Sequence, residues 1–268
     1  MKKILIAAPV RQTEQIFKLY LQSLRNLIIP EGYEVHKLFY LHNCEDLKRF
    51  TDSKKKEKVF IKNNLTEYIA EDHIWSQNNL NDVVKMKNEQ LKYAKDNYYD
   101  YIFYVDSDLL LQPQTLEVLL NADKDIISEV FWTVRDVKKS AEPNCWDYDN
   151  YVIVASSLNK WLEPGLYPVG MTGACTLIKS KVIYSGVNWS VLRNVSFTIW
   201  EDKAFCVRAL AHNFEIWIDT HFPATHLYRQ KDLDDHLNET NCSISKSDYI
   251  IEDKESDIPC KKQELKEV

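Results

Sequence analysis

Glycine is scarce in this chain: 268 residues include only five, Gly32, Gly165, Gly170, Gly173 and Gly186. Their spacing leaves no G-x-G-x-x-G fingerprint and no P-loop, so dinucleotide enzymes and P-loop ATPases drop away. The six cysteines, Cys44, Cys145, Cys175, Cys206, Cys242 and Cys260, form no C-x-x-C pair and have no histidine at zinc spacing. A reduced, cytoplasmic setting is the simplest expectation, in free solution or peripheral to a membrane. No apolar run approaches the roughly 18 residues a membrane span needs, so no transmembrane segment is expected. Met1-Lys2-Lys3 followed by Ile4 to Val10 has the outline of a signal peptide, but Pro9 and Arg11 cut it short and a first strand fits better. Positive charge is in deficit as well. A net charge of -6 argues against a nucleic-acid partner held by bulk electrostatics.

What the chain does have is apolar material, 45% hydrophobic and 12% aromatic residues, enough for a sizeable core in one large or two small domains. It also has one acidic triplet in a telling place. Asp106-Ser107-Asp108 directly follows the apolar run Ile102-Phe103-Tyr104-Val105, whereas Asp123-Lys124-Asp125, Asp147-Tyr148-Asp149 and Asp232-Leu233-Asp234 have no such strand running into them. Side chains two apart on an extended chain share a face, so both carboxylates can address one ion. Hard oxygen donors favour Mg2+ or Mn2+, and an ion with few protein ligands suits a metal–diphosphate complex better than a structural cage. Solvated acids ending a strand are the bland alternative.

Periodicity places this triplet in an α/β frame. Ile4 to Ala8 is a buried strand type, Thr13 to Leu27 carries a helical apolar face, and Val35 to Leu41 reads as a second strand. Lys54 to Lys58 reads as a solvated loop. Leu80 to Lys95 is a helix, Tyr101 to Val105 the strand bearing the acids, and Pro113 opens a helix through Leu120. Asp125 to Val134 is a strand again, and this alternation predicts a parallel sheet with ligands at the carboxyl ends of its strands. Tyr167 to Ile178 reads as one strand containing Gly170 and Gly173, Glu201 to Asn213 as a helix, and Phe214 to Asp219 as a strand. From Arg229 the chain is charged and aperiodic, so residues 1–228 are expected to form the domain and 229–268 a tail, lid or oligomer contact.

Four blocks in this order resemble the GT-A glycosyltransferases, most closely the family 2 type, with a secondary likeness to the fungal mannan-synthesising mannosyltransferases. Ile4 to Arg11 is similar to the opening strand and nucleotide-binding loop, and Lys85-Met86-Lys87-Asn88 to the basic-plus-Asn motif ahead of the metal strand. Asp106-Ser107-Asp108 is similar to the Asp-x-Asp element. Trp200-Glu201-Asp202, then Asp219 and His226, complete the likeness over roughly residues 4 to 228. The resemblance implies a single-domain GT-A fold: a Rossmann-like nucleotide-binding half plus an acceptor half around a mostly parallel mixed sheet.

It also implies roles. Asp108 would bind Mn2+ or Mg2+, Asp106 would contact ribose or the metal shell, and His226 would add a ligand from the facing loop, with His221 as its competitor. Pro9, Arg11, Asn43, Lys87, Asn88, Ser107 and Gly173 are candidates to contact the donor, with Trp132 near its pocket and Trp200 placed to stack on a sugar ring. Of the acidic pair Glu201 and Asp202, Asp202 would be the general base that deprotonates an acceptor hydroxyl. Acids in the first turn of a helix also offset its macrodipole with no catalytic duty. The implied reaction moves a sugar from a nucleotide sugar, uridine-linked, to a hydroxyl of a glycan, lipid-linked sugar or protein, with inversion. Asp106-x-Asp108 after a strand also fits a haloacid-dehalogenase-type phosphatase, whose first Asp is a nucleophile. A nucleotidyltransferase and a non-catalytic carbohydrate- or metal-binding module remain the other classes.

Overall fold

The structure is a computed structural model, and it describes residues 1–62, 77–134, 141–147, 159–194 and 200–247. The chain divides into two compact units, Met1–Tyr228 and Arg229–Val268.

The first unit is built on a mixed sheet. Its parallel part is β3 (Glu57–Ile61), β2 (Tyr33–Leu41), β1 (Lys2–Val10) and β4 (Tyr101–Val105), in that order. Ile4 faces Val35 on one side and Tyr101 on the other, so β1 is flanked along its length and its run Ile4 to Ala8 is buried. A strand covered on both faces reads as a continuous apolar run, as this one does. Beyond β4 the sheet continues through β11 (Cys175–Lys179), β6 (Ile126–Thr133) and β12 (Ile216–His226) to β5 (Leu109–Leu110). β11 runs antiparallel to both β4 and β6, while β12 lies parallel to β6.

Helices hold the strand ends in place. Helix α1 (Glu14–Arg25) starts on Thr13, whose side chain accepts from Ile16 N, and buries Ile16, Phe17, Tyr20, Leu21 and Leu24. Glu14 in its first turn and Arg25 in its last complement the helix dipole. Tyr20 packs with Phe17 and Phe39 and donates its hydroxyl to Val105 O at 2.9 Å, tying α1 to the last residue of β4. Helix α2 (Gln77–Asp96) turns Met86, Lys87, Gln90, Leu91 and Ala94 inward, a helical stripe containing one lysine. Short helices α3 (Thr115–Asn121) and α4 (Ser180–Ser185) and the longer α5 (Glu201–Ala211) complete this unit.

Three expectations need correction. Glu57 and Lys58, expected in a solvated loop over Lys54 to Lys58, open β3, and Glu57 is buried against Arg25. The stretch expected as one strand over Tyr167 to Ile178 is three: β9 (Leu166–Val169) on β12, β10 (Met171–Thr172) on β8 (Cys145–Trp146), and β11 in the centre of the sheet. The breaks fall at Gly170, whose N–H donates to Trp146 O, and at Gly173-Ala174, where Ala174 takes a φ of 67°. The last strand extends well past Asp219, to His226, through a register shift between Asp219 and Ala224. Residues 141–147 carry β7 (Glu142–Pro143) and β8, and 148–157 lie outside the described residues.

In the second unit, a helix α6 (Gln230–Ser247) occupies sequence expected to be aperiodic, and its Leu233 is buried. Side-chain pairs one turn apart, Gln230 with Asp234 and Lys231 with Asp235, bridge its first turns, and Asp232 accepts from Arg229 N. Such pairs add modest support to the exposed side of a helix. Residues 248–268 of the expected tail lie outside the described residues. Among the described residues no helix is long and apolar enough to cross a membrane.

Candidate active site

The carboxyl ends of β1, β2 and β4 lie along one edge of the parallel sheet, because β1 is in register with both neighbours. Pro9 and Arg11 therefore emerge beside Asn43, where β2 ends, and His42 N donates to Val10 O to lock the two ends together. Asn43 is exposed and adopts a left-handed φ of 51°, a conformation asparagine tolerates better than most residues. His42 is buried, and its desolvation together with nearby Arg11 keeps it below the usual histidine range, so it belongs to the packing beneath this edge.

Asp106 opens a turn at the end of β4. Its N–H donates to Ala174 O at 3.3 Å and its carbonyl accepts from Leu109 N at 3.1 Å. Ser107 is buried inside that turn, with Asp106 and Asp108 on either side of it. Next, β5 pairs with the far end of β12, matching Leu109 with His226, and Leu227 N donates to Asp108 O. This pairing brings His226 Nε2 to 3.4 Å from the Asp108 carboxylate. Thr133 Oγ1, 2.8 Å from His226 Nδ1, and the Phe131 ring packed edge-on against the imidazole fix its orientation. Burial pushes the Asp106 carboxyl up to about 6, opposed by the Lys87 ammonium and reinforced by the charge of Asp108.

Lys87 is the hub of the site. Its side chain is 1% exposed, and its Nζ lies 3.0 Å from Glu201 Oε1, 3.2 Å from Asp202 Oδ1 and 4.0 Å from Asp106 Oδ1. Burial alone would depress its pKa, but Asp202, Glu201 and Asp106 outweigh that and hold it well above the usual lysine range. A buried ammonium is tolerable only when paired in this way. Trp189 closes the remaining side, its ring centroid 4.7 Å from Nζ, and stacks in turn on Phe205. Asn88 secures that wall, accepting from Trp189 N at 2.9 Å and donating to Ser190 Oγ at 3.1 Å. Both Lys87 and Asn88, expected to meet the donor, thus make these protein contacts.

Glu201 and Asp202 form the first turn of α5, which Trp200 enters with extended backbone. One turn on, Cys206 packs on β10: its thiol donates to Thr172 O and accepts from Thr172 N. The same helical face carries Asp202 over the next residue, Gly173. Asp202 keeps 26% of its side chain exposed, while Glu201 is buried. Burial pushes Asp202 up to about 7, with Lys87 opposing and Glu201 and Asp106 adding to the rise. Trp200 is 38% exposed.

His221 does not join this group. Its N–H and ring nitrogen both bond to the Asp219 carboxylate, at 2.9 and about 3.0 Å, in a local turn. Residues that sequence inspection passed over are the supports: Tyr20, Thr133, Trp189, and Asn144, whose Nδ2 bridges Glu129 O and Gly173 O.

Among the described residues no group of three or more His, Cys, Asp and Glu stands ready to hold a metal. Asp108 and His226 still suit Mg2+ or Mn2+ of the kind that keeps its waters and takes phosphate oxygens, since that ion needs only one or two protein ligands. The Asp108–His226 approach, with Nδ1 engaged by Thr133, is the arrangement a ligating imidazole requires.

The mixed sheet, with the Asp106-Ser107-Asp108 turn at the end of β4, has the fold of the GT-A glycosyltransferases. The chain belongs to the family described as glycosyltransferase family 25, N-terminal domain, whose model matches residues 32–185. Among solved structures, S. aureus TarS 1–349 superposes with a TM-score of 0.50 at 15% identity, over 83% of this chain and 60% of that one. The same fragment in complex with UDP gives the same figures. A longer S. aureus TarS structure gives 0.51 at 16% identity, over 83% and 36%. At such identities the likeness establishes the fold, and the chain spans about 60% of the TarS fragment it matches.

Proposed function

We propose that the protein is a metal-dependent glycosyltransferase that moves a sugar from a UDP-sugar to a hydroxyl of a glycan, lipid-linked sugar or protein, with inversion. The observation that carries this reading is the pairing of Asp108 with His226 at 3.4 Å on the same turn as Asp106, which Lys87 ties to Asp202. Asp108 and His226 would hold Mn2+ or Mg2+, which when bound offsets charge on the departing diphosphate. Pro9, Arg11 and Asn43 line the edge where the nucleoside would lie, and Arg11 adds positive charge for the diphosphate. The TarS fragment's complex with UDP supports a uridine donor.

Asp202 takes the proton of the acceptor hydroxyl. The freed oxygen bonds to the anomeric carbon on the face opposite the diphosphate, whose bond to that carbon breaks and carries its electron pair away. A positioned base of this kind contributes on the order of 10²–10⁴ in rate. Trp200, exposed beside it, offers an aromatic face to a sugar ring.

Calorimetric titration with UDP, GDP and CDP, with and without Mn2+, on wild type and Asp108→Ala, tests the donor half. Metal-dependent binding of UDP that disappears in the variant is expected. Equal binding with and without metal would sink the metal role, and preference for GDP or CDP would sink the uridine donor.

A further inference from the structure

We infer that Gly173 and Lys87 are positioning residues that seat the Asp202 carboxylate, anchoring Oδ1 and leaving Oδ2 as the oxygen that takes the acceptor's proton. This inference rests on the proposed role of Asp202. It assigns Gly173 and Lys87 to the acceptor side of the reaction and gives the two oxygens of one carboxylate different tasks.

The two oxygens have different surroundings. Oδ1 lies 3.2 Å from the Lys87 ammonium, in a charge-assisted bond. Oδ2 lies over the Cα of Gly173, so close that a Cβ at that position would sit 2.3 Å from Oδ2 and 2.6 Å from Cγ. Real Cβ atoms do not approach oxygen so nearly, so any other residue at 173 moves the carboxylate. Gly173 can hardly yield instead. Its carbonyl accepts from Asn144 Nδ2 and from Cys175 N, both at 2.9 Å, and the central strand β11 begins two residues on, at Cys175. On the opposite side Lys87 is held by Glu201 and by the Trp189 wall, and Tyr104 donates its hydroxyl to the Lys87 carbonyl at 2.7 Å.

The carboxylate is therefore gripped between a fixed cation and a fixed backbone surface. The proton goes to the oxygen that does not carry the ammonium bond, because protonating Oδ1 would forfeit that bond. Glycine at 173 is required here for space and not for backbone freedom: no left-handed φ occurs at Gly173, unlike Gly32 and Gly186.

The test is a double-mutant cycle on Gly173→Ala and Asp202→Ala. Its readouts are release of UDP from a UDP-sugar with Mn2+, and calorimetric affinity for UDP. Displacing a reacting group by about 1 Å costs on the order of 10²-fold in rate. Gly173→Ala is expected to lower turnover about that much, to hold UDP affinity within about twofold, and to add nothing further when Asp202 is already alanine. Lys87→Met should show the same coupling to Asp202. Wild-type turnover in Gly173→Ala would overturn the inference, as would an equal loss in both Asp202 backgrounds. If Gly173→Ala fails to fold, the double variant decides: folding restored by removing the carboxylate supports the seat, and continued failure overturns it. The parent reading is judged separately, because full turnover in Asp202→Ala alone defeats the base assignment whatever Gly173 does.

Discussion

Glu129 on β6 and Asp219 on β12 are register partners in adjacent parallel strands, and both are buried. Two carboxyl groups side by side in a core cannot both hold charge cheaply. Burial first, and the charge of Asp219 second, push Glu129 up to about 9, so it is a neutral acid at pH 7. Asp219 accepts from His221 N and lies against its ring nitrogen.

A pH dependence of stability follows. Because the folded pKa of Glu129 lies above its unfolded value, the folded state binds more protons between about 4.5 and 9. Stability should fall as pH rises through that window, by up to about 1.4 kcal/mol per pH unit from this group, and level off above it. Glu129→Gln should remove the slope and raise the melting temperature most at the alkaline end. Melts at pH 5, 7 and 9 on both proteins decide it; parallel curves would show that Glu129 is not the protonated partner.

Thr133 supports His226 through Nδ1, so Thr133→Val should loosen the imidazole without touching Asp108. Loss of such an orienting partner costs metal sites on the order of 10–100-fold in affinity. The expected outcome is weaker Mn2+-dependent UDP binding with metal-free binding unchanged. An unchanged Mn2+ titration would remove His226 from the proposed ligand set.

Tyr20→Phe deletes the hydroxyl that holds Val105 O at the end of β4. The site is fully buried, so about 1–3 kcal/mol of stability should be lost as the carbonyl goes unpaired. Urea midpoints measure this. The predicted companion effect is weaker metal-dependent nucleotide binding, since the Asp106 turn starts one residue later.

Much of this architecture was legible from local signals. The five residues of β4 form an uninterrupted apolar run and the acids follow at once, so strand, exit point and candidate ligands could be placed together. What was not legible depends on distant pairing. A buried strand carries no mark of its direction, and so the antiparallel insertion of β11 between β4 and β6 did not show. Lys87 looked like a phosphate contact because its partners, Glu201 and Asp202, lie 114 and 115 residues away. Helix α6 escaped notice because polar pairs one turn apart dominate its first turns, around the buried Leu233.

The environment of Asp202 makes the proposed base assignment answerable by pH. A base must be deprotonated to act, and burial pushes this carboxyl up to about 7, well above an ordinary aspartate. Turnover at saturating donor should therefore rise about tenfold per pH unit below that value and flatten above it. Lys87 bounds the effect from the other side: its ammonium at 3.2 Å opposes the rise, so Lys87→Met should move the acid limb to still higher pH. Asp202→Asn should abolish that limb along with roughly 10²–10⁴ of the rate, while UDP affinity stays close to wild type. An acid limb that persists unchanged in the Asn variant would assign it to another group, and the same result with normal turnover would return Glu201 and Asp202 to the role of a charged helix start.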